Sequence, residues 1–438
     1  MRSSLGMTDQ TDTAKDDVIV IGGGPAGTAT AALLAKKGWK VRVLEKCKMP
    51  RYHIGESLMP YCWFTLERLG VLPQIEAEGF TQKLSVNFVS PDGSQSRPFY
   101  FFQHHDHPSS YTWQVTRSRF DQILWDNAAA KGAILNDGVK VTRLLRNEST
   151  GAVIGVAIED EHGKPSEFKS TVVIDCSGRD ALSAAKEGWR TRDPKLNKIS
   201  IWTYWKGAKR DSGLDAGSTT VAYLPQKGWF WYIPLQNDVV SVGIVAERDY
   251  LFKPGATRDP DEILRREIDN NAWIKEHLGE GEQFGEYWVT GEYSYRSRYC
   301  ADDGLVLAGD AFAFLDPVFS SGVFLALKSG EMAADNVDQA LRDGDVSAAK
   351  FDAYGAKLCE HIEIMRRIVY AFYDKEFNFG KLIRAYPDIR GRLTDCLIGD
   401  VDQDFDELFR RVAEFADLPQ DLDYGNKGCR RKGTLVPA

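Results

Sequence analysis

Residues 17–21, DVIVI, run straight into the segment GGGPAG, where Gly22, Gly24 and Gly27 complete a GxGxxG turn. A helical run, TATAALLAKKG, follows, and then a second apolar stretch, VRVLEK. A strand, a glycine turn, a helix and a second strand form one parallel βαβ unit, so the chain must build an open α/β sheet around it. The first glycine permits the tight turn, the second lets backbone approach a pyrophosphate, and the third lets the helix pack on the strand. The pyrophosphate sits at the helix N-terminus, where Pro25 and Ala26 begin the helix and free N–H groups favour an anion. Glu45 ends the second strand, 18 residues past Gly27, where it can accept from ribose hydroxyls. The turn therefore holds a dinucleotide, and by itself does not say which.

The remaining pattern places this unit in a larger plan. LSVNFV (84–89) alternates like a strand of a different sheet. Residues 115–133 read as an amphipathic helix with Phe120, Ile123, Leu124 and Ala128 on one face. Segments from 139 to 178 read as a meander that returns to a buried strand, and 197–295 is strand-rich and aromatic, the mark of an antiparallel sheet. GLVLAGDAFAFLDP (304–317) is another buried strand with a loop, and after 323 the chain is helical, including an amphipathic stretch over 369–385. The aromatic face of that stretch (Phe372, Tyr373, Phe377, Phe379) is expected to be core rather than a cap on a pocket. The expected units are a disordered lead (1–15), a discontinuous nucleotide domain (16–80, 115–190 and 296–345), a mostly antiparallel sheet domain (81–114 and 191–295) and a helical C-terminal region (346–438) ending in the basic NKGCRRKGTLVPA.

Composition excludes several function classes. A net charge of −8 argues against a nucleic-acid binder, which normally carries a basic face. No run of about 18 apolar residues predicts a membrane span, and the polar first fifteen residues are not a secretory signal. The seven cysteines (47, 62, 176, 300, 359, 396, 429) form no CxxC pair, so reduced thiols in a cytoplasm are expected, with no metal site. The run His104, His105, His107 reads as a solvated loop, since no carboxylate or cysteine completes a ligand set nearby.

Three later segments decide the nucleotide. Asp175-Cys176-Ser177-Gly178, Gly309 to Pro317, and PRYHIGES (50–57) together resemble the flavin-binding fold shared by FAD-dependent monooxygenases, halogenases and isoprenoid reductases. The resemblance implies a Rossmann-type FAD-binding domain interrupted by a substrate-binding sheet. It puts Asp310 at the ribityl or pyrophosphate portion, a role compatible with capping a helix. GWFWYIP (228–234) further resembles the WxWxIP signature of flavin-dependent halogenases, through Trp229, Trp231, Ile233 and Pro234. FLDPVFSSG (314–322) is similar to their FxxPxxSxG signature, through Phe314, Pro317, Ser320 and Gly322. PRYHIGESLMP matches their loop at the isoalloxazine ring, and GFTQKLSVNFV puts Lys83 where they keep a catalytic lysine. Cofactor contacts implied by this likeness are Gly22, Gly24, Pro25, Ala26, Gly27, Glu45, Lys46, Arg51, Ile54, Gly55, Glu56, Ser57, Arg117, Asp310, Pro317 and Val323.

For a halogenase these parts have chemical sense. FAD arrives reduced, as FADH2, from a separate NAD(P)H-dependent flavin reductase, and with oxygen it turns chloride or bromide into hypohalous acid. That electrophile must reach a separate aromatic substrate, and bulky Trp229 and Trp231 suit a gate between the two. A Ser-Ser-Gly turn entering a helix is an anion nest, which assigns the halide to Ser321 and Gly322 with Val323 against the flavin. Lys83 would hold hypohalous acid by hydrogen bond or as a haloamine. Tryptophan-directed members resemble one another in a glutamate before the Ser/Thr-Gly pair. Here that place reads Val318-Phe319-Ser320-Ser321, which points to the branch acting on phenols, pyrroles or similar rings, free or carrier-bound. The alternative is an aromatic hydroxylase on the same fold. Hydroxylases usually carry an Asp-Gly pair in the middle segment, where this chain has Ser177-Gly178.

Overall fold

The computed structural model describes residues 15–225, 228–253, 255–291 and 294–420. Most of the expected N-terminal lead and the basic C-terminal segment, with Cys429, lie outside the described residues. The apolar runs DVIVI and VRVLE become the strands Asp16–Ile21 and Val41–Glu45, both almost wholly buried, as parallel strands covered by helices must be. Five strands run parallel in the order Leu305–Leu307, Pro165–Asp175, Asp16–Ile21, Val41–Glu45, Ile134–Asp137. Chain order proceeds one way from the first strand and returns on its other side. The crevice for a ligand therefore opens between the ends of Asp16–Ile21 and Pro165–Asp175.

Gly22 sits in that crevice at φ +99°, and a β-carbon there would lie 2.3 Å from the carbonyl oxygen of Cys176. A left-handed backbone and a backbone clash add, so Gly22→Ala is expected to cost about 2–5 kcal/mol. Denaturant unfolding of the apoprotein measures this; a loss within the error of that measurement would show that the two turns can separate freely.

The second sheet has seven strands, in the order Glu282–Gly291, Lys198–Lys206, Val239–Glu247, Trp229–Pro234, Thr219–Tyr223, Ser85–Val89, Phe99–Tyr100. All its pairs are antiparallel except Thr219–Tyr223 with Ser85–Val89, which brings the segment after Lys83 into the sheet. Side-chain alternation divides Trp229–Pro234 cleanly. Trp229, Trp231 and Ile233 join the main core toward the first sheet, while Phe230 and Tyr232 join a second core with Val242 and Ile244.

Three expectations need correction. The strand-rich 197–295 region also contains the helices Pro260–Ile268 and Ala272–Leu278, which cover that second core. The sequence carries their signal: Asp259 caps the first through the Asp261 N–H, Pro260 opens it, and acids precede bases along it. The stretch 369–385 is not one helix. Asp352–Tyr373 ends before Asp374, and a new helix, Phe379–Ala385, starts where the Asn378 side chain accepts from the Lys381 N–H. His105 and His107 are half-buried rather than solvated, bonding Ser109 and packing on Tyr61, Trp63 and Phe64.

The long helix Ser321–Asp343 crosses Pro25–Lys36 so closely that a β-carbon on Gly330 would lie 2.5 Å from the Ala26 carbonyl oxygen. Thr30 donates to the Gly330 carbonyl at 2.9 Å across this contact. The crossing brings two helix N-termini to one place. No helix among the described residues is long and apolar enough to cross a membrane, and no group of three or more His, Cys, Asp or Glu residues among them could hold a metal ion.

Candidate functional site

A cavity of about 380 Å³ opens at the crevice. Gly22, Gly24, Pro25 and Ala26 form one end of its wall, with Glu45, Lys46 and Arg51 beside them. The loop Ile54–Ser57, Arg117 and Asp310 form the middle, and Trp229, Trp231, Pro317, Gly322 and Val323 form the far side. Gly27 lies off the cavity: its β-carbon would meet the Gly22 carbonyl oxygen at 2.0 Å, so it serves helix-on-strand packing. Ser321 is buried off the cavity as well, and its neighbour Ser320 lines the wall in its place. Ser320 adopts φ +58°, which turns the chain into the long helix.

Neither Pro25–Lys36 nor Ser321–Asp343 has a side-chain N-cap, so the free N–H groups at both ends remain available to anions at the cavity. Glu45 accepts from the Gly23 N–H at 2.8 Å and from the Cys47 N–H at 2.9 Å, which ties the glycine turn to the second strand's end. Lys46 and Arg51 supply positive charge next to that turn. Burial pushes the Asp310 carboxyl up to about 6, against the pull of Arg179 and Arg117. These residues fit FAD: uncapped helix ends and cations for the pyrophosphate, acceptors for the ribose and ribityl hydroxyls, and an apolar wall for the ring system.

The loop 50–57 is fastened from below by a residue with no motif to announce it. Asp121 is wholly buried and accepts from Arg117 Nε and Nη2 at 2.8 and 3.0 Å and from Arg51 Nη1 at 3.0 Å. Burial alone would raise its pKa, but the two guanidinium groups hold it below the usual carboxylate range. Arg117 then spends its remaining N–H group, Nη1, on the carbonyl oxygens of Ile54 (2.6 Å) and Gly55 (3.3 Å). The only local clue is the four-residue spacing from Arg117 to Asp121 on one helix.

Lys83 ends the short strand Thr81–Lys83 and is 2% exposed. It does not line the main cavity. It lines a second space of about 20 Å³, room for roughly one water, together with Phe99, Phe101, Phe319 and Leu397. Thr219, Val318 and Ser320 line both spaces and form the partition between them. Lys83 Nζ donates to Ser57 Oγ at 2.8 Å and to the Leu58 carbonyl at 3.1 Å. Ser57 Oγ in turn bonds Thr219 Oγ1 at 2.9 Å. Burial lowers the Lys83 pKa to about 7. Thr219 has no sequence signal, because sheet register alone carries it there.

Trp229 and Trp231 are tied to different parts of the chain. Trp229 Nε1 donates to Tyr373 Oη at 2.8 Å, and Tyr373 donates to Asp316 Oδ2 at 2.8 Å. Asp316 Oδ1 accepts from the Val318 N–H, holding the turn that forms the partition. Trp231 Nε1 donates to Ser241 Oγ at 3.1 Å. Phe372 and Phe379 pack on Phe319, so the aromatic residues of the C-terminal region reach the wall of the small space as well as the core.

Comparison with known proteins gives a consistent result. A sequence model of the family described as Tryptophan halogenase matches residues 17–109 and 101–380. The 1H-pyrrole-2-carbonyl-(peptidyl-carrier protein) chlorinase of Pseudomonas fluorescens is 30% identical, over 96% of this chain and 98% of its own length. The corresponding brominase of Pseudoalteromonas luteoviolacea is 32% identical, over 87% of this chain and 91% of its own length. Among solved structures, the flavin-dependent brominase Bmp2 superposes with a TM-score of 0.83 at 28% identity, covering 92% of this chain and 98% of that one. The chondrochloren halogenase CndH superposes with a TM-score of 0.77 at 28% identity, covering 91% and 95%.

Proposed function

Because the chain belongs to the flavin-dependent halogenases, we propose that it halogenates a pyrrole-type ring presented on a carrier protein, with Lys83 passing the electrophilic halogen to the ring. The observation that carries this reading is the position of Lys83: closed in a small space, bonded to the cofactor loop through Ser57, and separated from the flavin cavity by one layer of side chains. The carrier-bound pyrrole is taken from the two relatives whose names specify it. Reduced FAD supplies the oxygen activation that turns chloride or bromide into hypohalous acid. In this reading a separate NAD(P)H-dependent flavin reductase provides it, residues 16–80, 115–190 and 296–345 hold it, and the second sheet with 81–114 and 191–295 faces the substrate.

The chain's own residues then divide the remaining work. The glycine turn and the helix end at Pro25 hold the pyrophosphate, and the Asp121–Arg117 pair keeps the loop 54–57 against the ring. The N-terminal turn of the long helix, at Gly322 and Val323, offers N–H groups to the halide. Trp229 and Trp231 exclude the organic substrate from the flavin side. A Lys83 amine with a pKa of about 7 exists in both forms near neutral pH. The protonated form can hydrogen-bond hypohalous acid; the neutral form has the lone pair needed for a haloamine. A space of about 20 Å³ is smaller than an aromatic ring, so substrate entry requires Phe99, Phe101 or Phe319 to move.

The test supplies FAD, a flavin reductase with NADH, oxygen and bromide to the protein, with a pyrrole-2-carbonyl group loaded on a carrier protein. Mass spectrometry of the carrier should show hydrogen replaced by bromine. Bromination of free pyrroles or phenols with the loaded carrier untouched would overturn the carrier-bound part. Hydroxylation of the ring would overturn the whole.

A further inference from the structure

Overall, halogenation converts reduced flavin, dioxygen, halide, ring C–H and one proton into oxidised flavin, ring C–X and two waters. The O–O bond breaks and dioxygen takes four electrons, two from the flavin and two in the halide's conversion to an electrophile. Of the four hydrogens in the two waters, two come from the reduced flavin and one from the ring. The fourth must enter from solvent, and once flavin and halide occupy the cavity it needs a route through the protein.

We propose that Tyr52, Tyr204 and Glu56 form the path by which that proton enters the flavin cavity, with Glu56 delivering it. This rests on the flavin-dependent activity and is independent of Lys83 and of what the substrate is. Glu56 is buried, lines the cavity, and its Oε1 accepts from Tyr204 Oη at 2.8 Å. Its Oε2 makes no hydrogen bond of normal geometry among the described residues, although the Ser241 hydroxyl lies near enough to favour the charged carboxylate. Tyr204 Oη lies 2.9 Å from Tyr52 Oη, and Tyr52 is 42% exposed. The three oxygens thus form a continuous hydrogen-bonded chain that runs from Tyr52, an exposed residue at the rim of the cavity, to Glu56 in its wall.

Trp202 anchors the outer end of the chain. Its indole N–H is a donor only, and it donates to Tyr52 Oη at 2.7 Å. Tyr204 has one proton to share between Tyr52 Oη and Glu56 Oε1; when it goes to Glu56, the Tyr204 oxygen can take a proton from Tyr52 in turn. Stacking on Trp288 at 4.6 Å between centroids fixes the Tyr52 ring in place for this exchange. Other elements pack polar groups around Glu56: Arg117 from the helix Arg117–Ala130, and Ser241 from the strand Val239–Glu247, itself bonded by Trp231. Burial raises Glu56 to about 7 against the opposing effects of Ser241, Tyr204 and Arg117, so near neutral pH it can both hold and release a proton. Burial also raises both tyrosines, Tyr52 to about 12, so each phenol remains protonated and can relay.

Infrared difference titration of the apoprotein tests the chain without any turnover. A protonated-carboxyl band assigned to Glu56 by its loss in Glu56→Gln should titrate near pH 7. In Tyr204→Phe that band should shift to higher frequency and titrate at higher pH, because the hydrogen bond favouring the charged form is gone. In turnover, Glu56→Gln should slow halogenation roughly 10²-fold, and Tyr204→Phe should slow it and diminish the solvent deuterium isotope effect while FAD affinity stays unchanged. Wild-type halogenation should fall as pH rises through about 7, and this fall should be less steep in Glu56→Gln, where Lys83 still titrates in that range. A Tyr204→Phe protein with the wild-type rate, isotope effect and pH profile overturns the path. So does a Glu56 carboxyl that stays ionised at neutral pH. If the wild type does not halogenate at all, the activity itself is wrong, and the infrared titration still judges the chain.

Discussion

Lys83→Met should retain FAD and lose halogenation by roughly 10³-fold, the range that a positioned proton-transfer or nucleophilic group contributes. Methionine keeps most of the volume beside Phe101 and Phe319 and cannot bond hypohalous acid or take the halogen. Lys83→Arg is expected to fail as well, since a guanidinium does not lose its proton and the space has no room for its fork. Flavin fluorescence follows cofactor binding, and chromatography of the product follows turnover. A methionine variant that halogenates within a few-fold of wild type would remove Lys83 from the chemistry. Stability offers a second readout. The folded pKa of about 7 lies below the usual 10.5, so the unfolded chain binds the proton more tightly in that window. Wild-type stability therefore rises with pH between about 7 and 10.5, and Lys83→Met loses this dependence.

Asp121→Asn should be the most damaging change near the cofactor that leaves every cavity-lining residue intact. One buried carboxylate pairs with both Arg117 and Arg51, so neutralising it leaves the Arg117 guanidinium buried without an ion-pair partner and Arg51 with only Glu45 at 3.8 Å. Breaking a buried pair in this way costs about 3–5 kcal/mol. It also frees Arg117 from its orientation toward Ile54 and Gly55, so FAD affinity should fall more than tenfold. The folded pKa of Asp121 is depressed below 3.8; its contribution is fully present above that value and disappears only as pH falls through the depressed one. Denaturant unfolding at neutral pH and an FAD titration check both effects. Near-normal stability together with near-normal affinity would mean that solvent or a neighbouring acid replaces the carboxylate.

Features carried by contiguous residues are legible in the amino-acid sequence alone. The glycine turn, its flanking strands and the alternation in WFWYIP each encode local geometry. Alternation by itself puts Trp229 and Trp231 on the one face of their strand that lines the cavity. Lys83 can be placed only through its resemblance to a family pattern, since a lysine ending a three-residue strand ordinarily looks solvated. Tyr204 and Thr219 are not legible, because their roles come from sheet register with partners far away in sequence. That Ser320 rather than Ser321 lines the cavity is not legible, because the positive φ at Ser320 has no signature in a serine. The helix Pro260–Ile268 is hidden despite its cap and proline, since aromatic strands on both sides dominate the pattern.

The two helix ends that frame the cofactor cavity begin at Pro25 and Ser321, and the last parallel strand is Leu305–Leu307. During synthesis the first four parallel strands emerge with the Val173–Asp175 end of Pro165–Asp175 unpaired on one side, and it stays so while the last five strands of the second sheet are made. An exposed apolar edge of this kind is a template for association with other chains. The cofactor cannot help until nearly all of the polypeptide has left the ribosome. Its capture is therefore a late event, and the yield of native protein should depend on how well the nascent edge is shielded far more than on how much FAD the cell holds.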